Sequence, residues 1–457
     1  MKKLLGIVVL GLLWSNITFA SSTSFVYFNK WLYDNGHHQY LNLGAAATSG
    51  ICKTEPKFSQ VWFQQGCDKF IGTNNLNIEK YTTNYWKLPF KKNPNRDTLI
   101  YYLYKYHHSH YTGDPSTKQW GKFEIQPSKS PYEFKSDLRE NKFVKKQMQK
   151  QALLSYLFFE DDKIVIDEIS PKDRFGEFID NSTKLKSMSM GKSIMSYVAG
   201  HAICAGYIDS VDSKIDDWPL LKNTLYDGQK LIDILNMAAG DQKYISAVHG
   251  KYRDSTVFLN GYEANVRSFA HDINMQMKGS KKAKSEYNYN GLATNLIFNY
   301  VQYKSKDKFE SLLNDIFQKK VRIKDSVYFF KTQGYPNNLF YANRYDYLRI
   351  GKAIIDDWQN DTCVGKYLKT MYKNRIKKNL KNRKKFRVEE ATTSYGGQFH
   401  LDIIGMKKRK IFGMGGYGGQ QILIDVEKSK IIVVNSLHMN RKSFNYNWKK
   451  IVYDVIK

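Results

Sequence analysis

Acidic residues are scarce in this chain of 457 residues: 43 Asp and Glu stand against 71 Lys and Arg, a formal charge of +28. Cysteine is scarcer, with four in all and none at metal-ligand spacing. Long hydrophobic runs are lacking too. The unbroken apolar stretch from Leu4 to Trp14 falls well short of the ~20 residues that cross a bilayer. Hydrophobic and aromatic material is abundant by contrast. A hydrophobic content of 42%, with 33 Tyr and 26 Phe, excludes long disordered stretches and suits a large core in more than one domain. Internal repeats are absent.

The first twenty residues have the layout of a secretory signal peptide: basic Lys2-Lys3, the apolar run, then small residues around Ala20 before Ser21-Ser22. Export to a bacterial periplasm, or secretion, is expected, with no membrane span in the mature chain. No cysteine follows the cleavage site, so a lipid anchor there is not indicated. In the cytosol a charge of +28 would suggest nucleic acid. An exported chain meets anionic envelope polymers instead, and no nucleic acid partner is expected. The densest basic run, Lys366 to Arg387, holds eleven Lys and Arg and no acid, the pattern of a solvated face. Export also exposes the cysteines to an oxidising compartment. Cys52 and Cys67 are close in sequence within a polar stretch and suited to a bridge. Cys204 and Cys363 have apolar or helical surroundings and read as small buried hydrophobes.

Residues 21–145 form an extension rich in Tyr, Asn, Lys and His that carries no motif. His107, His108 and His110 cluster there, but no carboxylate or cysteine completes a ligand set, and no metal is expected. Gln126 to Gln151 reads as a linker. From Ala152 the pattern sharpens: strands over Ala152–Phe159 and Ile164–Ile169 flank a Glu160–Lys163 turn, and a second hairpin spans Gln420–Val426 and Lys430–Leu437. Trp448, Ile451, Val452, Val455 and Ile456 lie at helical spacing. Residues 189–390 are mostly helical in pattern. Strands at both ends with helices between predict an α+β domain over 146–457, an antiparallel sheet flanked by helices with a mostly helical region inserted.

The stretch "SMSMGKSIMSYVAGHAICAGY", from Ser187 to Tyr207, can be read in two ways. A phosphate-cradling loop needs glycine five positions before Gly191-Lys192, where this chain has Lys186, so that reading fails. In the other, Ile194, Met195, Val198, Ala202 and Ala205 form the apolar stripe of a helix ended by Gly206. Ser189 then sits at the helix N-terminus, where free N–H groups favour negative charge on its oxygen. Lys192 follows one turn on, on the same face. A buried lysine loses its charge, and a neutral amine can take the serine proton. Alone, Ser-x-x-Lys describes an ordinary capping serine beside a solvated lysine.

It does not stand alone. "FFEDDKIVIDE" with "KSMSMGKSIMS", "IDSVDSKIDDWPLL" with "KLIDILNMAAGD", "YNYNGLATNLI" and "FGMGGYGGQQILID" occur in the order found in the serine β-lactamase and penicillin-binding-protein superfamily. "RYDYLRIGKAIIDDW" and "SYGGQFHLD" are lesser matches. The set covers about 310 residues and resembles most the esterase and amidase branch, which includes the aminohexanoate-dimer (nylon-oligomer) hydrolases. The resemblance implies a β-lactamase/transpeptidase-like fold and a serine hydrolase without cofactor or metal. It makes Ser189 the acylated nucleophile, Lys192 its base or proton relay, and Tyr289 the tyrosine that assists proton transfer to the leaving group. Tyr287 competes for that role, but Tyr289 has the family's spacing to Leu296-Ile297. Backbone N–H groups of Ser189 and Tyr417 would form the oxyanion hole, with Met414, Gly415 and Gly416 lining the substrate pocket. Met414 stands where β-lactamases and D-alanyl peptidases carry Lys or His, and Gly291 where the second motif has Asn; both departures resemble the esterase/amidase branch. The expected substrate is a small-molecule or peptide-like ester or amide. A cell-wall peptidase or penicillin-interacting protein, and a non-catalytic envelope-binding protein, are the rival readings.

Overall fold

The computed structural model describes residue 28 and residues 31–32, 35–37, 95–108, 120–245, 269–332, 334–379, 387–437 and 445–457. The leader at 1–20 and the Cys52 and Cys67 pair lie outside them. The chain divides into two units, Met1–Thr117 and Lys118–Lys457. In the first, helix Arg96–Leu103 starts at Asn95, whose side chain accepts from the Thr98 N–H at 2.9 Å, and Tyr101 and Tyr104 pack on Phe28. His107 is buried, whereas the side chains of His108 and His110 lie outside the described residues.

Among the described residues of the second unit, thirteen strands form two sheets. The smaller sheet runs β1 (Trp120–Ile125), β6 (Val327–Thr332), β7 (Tyr335–Ala342), β5 (Leu185–Lys186). The larger runs β2 (Lys135–Ser136), β4 (Lys163–Ile169), β3 (Leu153–Glu160), β13 (Lys430–Ser436), β12 (Gln420–Asp425), β11 (Ile411–Gly416), β10 (Phe399–Ile403), β9 (Thr392–Gly396), β8 (Ile376–Lys377). Among the described strands only β2 and β4 pair in parallel. The expected terminal closure is present, with β3 against β13 from Phe159↔Ile431 to Ser155↔Asn435.

Side chains alternate across this sheet as the pleat requires. Ile422, Ile424, Ile431 and Val433 face the main core beneath α1 (Met190–Cys204), α2 (Gly291–Ser305) and α3 (Arg344–Gln359). Leu423, Ile432 and Val434 face the other side, with Trp448, Ile451, Val452 and Ile456 of the C-terminal stripe and Val144 and Met148 of helix Lys142–Lys150. Both faces are covered, so these strands read as continuous apolar runs. The fold class is the α+β one expected.

Two expectations need correction, and the mostly helical region needs one addition. The stretch read as a linker holds β2 and helix Lys142–Lys150, and the second unit begins at Lys118 because β1 pairs with β6 from Trp120↔Thr332 to Ile125↔Val327. The helical region contains the β6–β7 hairpin, which turns at Gly334 with φ of +83°. Cys204 and Cys363, read as separate buried hydrophobes, are disulfide-bonded, with Cα atoms 5.8 Å apart. Cys204 ends α1 and Cys363 opens α4 (Cys363–Lys373). These helices pack so closely that a Cβ on Gly200 would lie 2.6 Å from the Tyr367 ring. Distance along the chain says nothing of such a pairing.

Candidate active site

β5 leads into α1 through a tight elbow. Ser187 donates its N–H to Phe340 O at 2.8 Å, and its Oγ accepts from the Phe340 N–H at 3.0 Å. Met188 then takes φ of +50°, a left-handed conformation that costs a non-glycine residue about 1 kcal/mol or more. The chain reverses into α1 with Ser189 at its N-cap. The Ser189 hydroxyl makes no capping bond, so the helix N-terminus does not consume it. Gly191 lets the first turn press on β7, since a Cβ there would lie 1.8 Å from Asn338 O.

Lys192 follows one turn on, its N–H donating to Ser189 O at 3.1 Å. Ser189 is half-buried, and Lys192 is 1% exposed. Burial lowers the lysine from its ordinary 10.5 to about 7, so much of it is a neutral amine near neutrality. Its Nζ lies 5.5 Å from the centre of the Tyr289 ring. The structure thus brings Lys192, beside Ser189, to the second-motif tyrosine. Tyr287 is close by, its ring centre 6.4 Å from that of Tyr289, and burial raises its phenol well above the ordinary value.

What holds Tyr289 was not visible in the motif. Asn288 and Asn290 on either side donate to the buried Asp241 carboxylate at 2.7 and 3.0 Å, and Tyr226 OH donates to it at 2.9 Å. Asn290 also caps α2, accepting from the Ala293 N–H at 2.8 Å. Burial raises the Asp241 carboxyl above its usual range despite these donors. The only sequence trace is that Asp241 closes "NMAAGD". Asp241→Ala would leave three buried donors without their acceptor, at about 1–3 kcal/mol each. We expect a drop of several kcal/mol in denaturant-derived stability; a variant within about 1 kcal/mol of wild type would show that Asp241 does not hold this loop.

The third motif ends against the elbow: a Cβ on Gly416 would lie 2.5 Å from Ser187 O and 3.2 Å from the Met188 Cβ. β11 pairs with β10 at His400↔Gly413 and with β12 as far as Gly416↔Gln420, so the strand ends with Gly416 at the elbow that precedes Ser189. Gly415 abuts the Glu389 side chain, its notional Cβ 2.3 Å from Oε1. Met414 differs from the other two expected pocket residues. Its side chain is fully buried in the main core, on the face opposite Gly415.

The stretch "SYGGQFHLD" forms a wall beside Tyr289. Tyr395 and His400 lie opposite each other on β9 and β10 and both pack on Tyr289, with ring centres 5.9 and 6.1 Å away. Gln398 binds the helices together: its carbonyl accepts from Ser193 Oγ of α1 at 2.6 Å, and its side chain accepts from Thr294 Oγ1 of α2 at 2.8 Å. Among the described residues no group of three or more His, Cys, Asp or Glu is placed to hold a metal ion.

No protein-family model and no curated protein matches this sequence. Solved structures do match. A "Putative 6-aminohexanoate-dimer hydrolase" from Bacillus anthracis superposes with a TM-score of 0.56 at 12% identity, covering 76% of this chain and 93% of that one. A "putative beta-lactamase" from Bacteroides dorei gives 0.50 at 15%, covering 68% and 96%. The octameric penicillin-binding protein homologue from Pyrococcus abyssi gives 0.50 at 13%, covering 69% and 75%. The fold is the β-lactamase and penicillin-binding-protein-like one that the motifs resemble.

Proposed function

We propose that the protein is an exported serine hydrolase that cleaves a carboxylic ester or amide through an acyl-enzyme on Ser189. The observation that carries this reading is Lys192: an amine lowered to about 7 by burial, one turn along from an uncommitted N-cap serine, and next to the Tyr289 ring. Neutral Lys192 takes the Ser189 proton as Oγ bonds to the carbonyl carbon. The oxyanion is held by the N–H groups of Ser189 and Tyr417, each worth ~3–4 kcal/mol in a water-poor site. Tyr289 passes the proton to the leaving oxygen or nitrogen as its bond to carbon breaks. Water then attacks the acyl carbon, the acid departs, and Ser189 regains its proton. The chemistry calls for no cofactor.

Export is supported by the Cys204–Cys363 bond, which a reducing cytosol would not maintain in most organisms. The charge of +28 favours contact with anionic envelope polymers over the Lys-rich surface. Intact-mass analysis after treatment with a fluorophosphonate tests the core of the reading. One adduct is expected on the wild type and none on Ser189→Ala; labelling that survives the substitution removes Ser189 from its role. Stable acylation by a penicillin would instead favour the cell-wall peptidase alternative.

A further inference from the structure

Lys378 belongs to the basic run that the sequence presents as a solvated face, yet it is 2% exposed. Its Nζ donates to the Glu389 carbonyl and to Thr392 Oγ1, both at 2.6 Å, and lies 3.3 Å from His400 Nδ1. Thr392 Oγ1 gives its own hydrogen to the Val388 carbonyl and so accepts from Lys378, and the Glu389 carboxyl is near. These acceptors favour the ammonium despite burial, and beside an ammonium, which can only donate, His400 Nδ1 accepts. The His400 ring lies beside Tyr289, centres 6.1 Å apart and planes at 30°, and Lys192 Nζ lies 5.5 Å from the centre of the same Tyr289 ring. Four buried groups from β9–β10 and their flanks, the second-motif loop and α1 are thereby connected pair by pair.

We propose that Lys378 is a positioning residue for this site, whose ammonium, acting through His400, orients Tyr289 and favours the deprotonated forms of the Tyr289 phenol and Lys192. The inference rests on Ser189 being the acylated residue. The charge comes from a position next to β8 that belongs to none of the motifs.

The surroundings set the sign. Lys378 faces His400 and the Glu389 carboxyl, which burial holds above its usual range. Glu389 in turn is near Arg387, Glu390, Tyr287, Tyr395 and Tyr446. Tyr289 faces Lys192, Tyr287, Tyr395 and His400, with Asp241 behind its loop. A positive charge lowers the pKa of every one of these groups, so removing it raises them all. The direction of the shift is the same whichever group limits the acid side of the reaction.

The test is the pH dependence of fluorophosphonate labelling, which needs no knowledge of the natural substrate. Lys378→Gln keeps a donor for His400 and loses the charge; Lys378→Met loses both; Lys378→Arg keeps the charge. For the Gln and Met variants we expect the acid limb to move up by about one pH unit, roughly tenfold slower labelling on that side, while the Arg variant follows the wild type. Folded Gln and Met variants with an unmoved limb would overturn the proposal. So would an Arg variant that shifts as far as they do, or a failure of both uncharged variants to fold, which would make the cation structural. Absence of labelling at Ser189 in the wild type would instead defeat the hydrolase reading itself.

Discussion

Lys192→Met is expected to slow acylation of Ser189 by about 10²–10⁴-fold, the range that a positioned general base contributes, while making the folded protein more stable. The two effects share one cause. Burial lowers this lysine from 10.5 to about 7. Between those values the unfolded chain holds a proton that the folded chain does not, so stability rises with pH across that window and is forfeited as pH falls toward 7. At about 1.4 kcal/mol per pH unit, roughly 5 kcal/mol is withheld at neutrality relative to strongly alkaline solution. Contacts of the amine, including its approach to the Tyr289 ring, offset part of any gain from methionine. Denaturant titrations at pH 7 and 9.5 check this. The wild type should gain stability between them by more than the variant does, and the variant should be the more stable at pH 7. A variant that is slower and also less stable at pH 7, with the same pH slope, would mean that the lysine is charged or solvated in the folded state. The wild-type labelling rate should also fall below about pH 7, as the amine protonates.

The sequence disclosed this site unevenly, for physical reasons. Ser189 and Lys192 were readable because a helix start and an i, i+3 spacing are local. Strands β3, β4, β12 and β13 were readable because burial on both faces leaves continuous apolar runs. Tyr289 could be chosen over Tyr287 only by its spacing from Leu296-Ile297, and nothing local pointed to Asp241, 48 residues earlier, as the group that holds its loop. Met414 was placed by motif alone, and the pleat turns it into the core. Lys378 was hidden for the opposite reason: its neighbours in sequence are basic, and composition cannot single out one inward lysine within a basic run. Partners supplied from far along the chain leave no periodicity.

Loss of the Cys204–Cys363 bond is expected to cost up to about 5 kcal/mol. The bond joins residues 159 positions apart, spanning α2, the β6–β7 hairpin and α3. Closing so long a loop restricts the unfolded chain far more than the folded one, and the chain-entropy estimate for that length is about 5 kcal/mol, with native-state strain able only to reduce it. In the folded state the two helices are already held side by side, with Ser196 Oγ 2.8 Å from Tyr367 OH and Gly200 against the Tyr367 ring. A Cys204→Ser, Cys363→Ser double variant should therefore fold to the same structure and unfold at markedly lower denaturant concentration, with a steeper penalty at high temperature. Ser189 lies at the other end of α1 from Cys204. Its labelling rate in native buffer should stay close to wild type, which separates a loss of stability from a loss of chemistry. A double variant within about 1 kcal/mol of wild type would mean that the unfolded chain keeps these helices together without the bond. A matching collapse of labelling would mean that the bond transmits order along the whole of α1 to the serine.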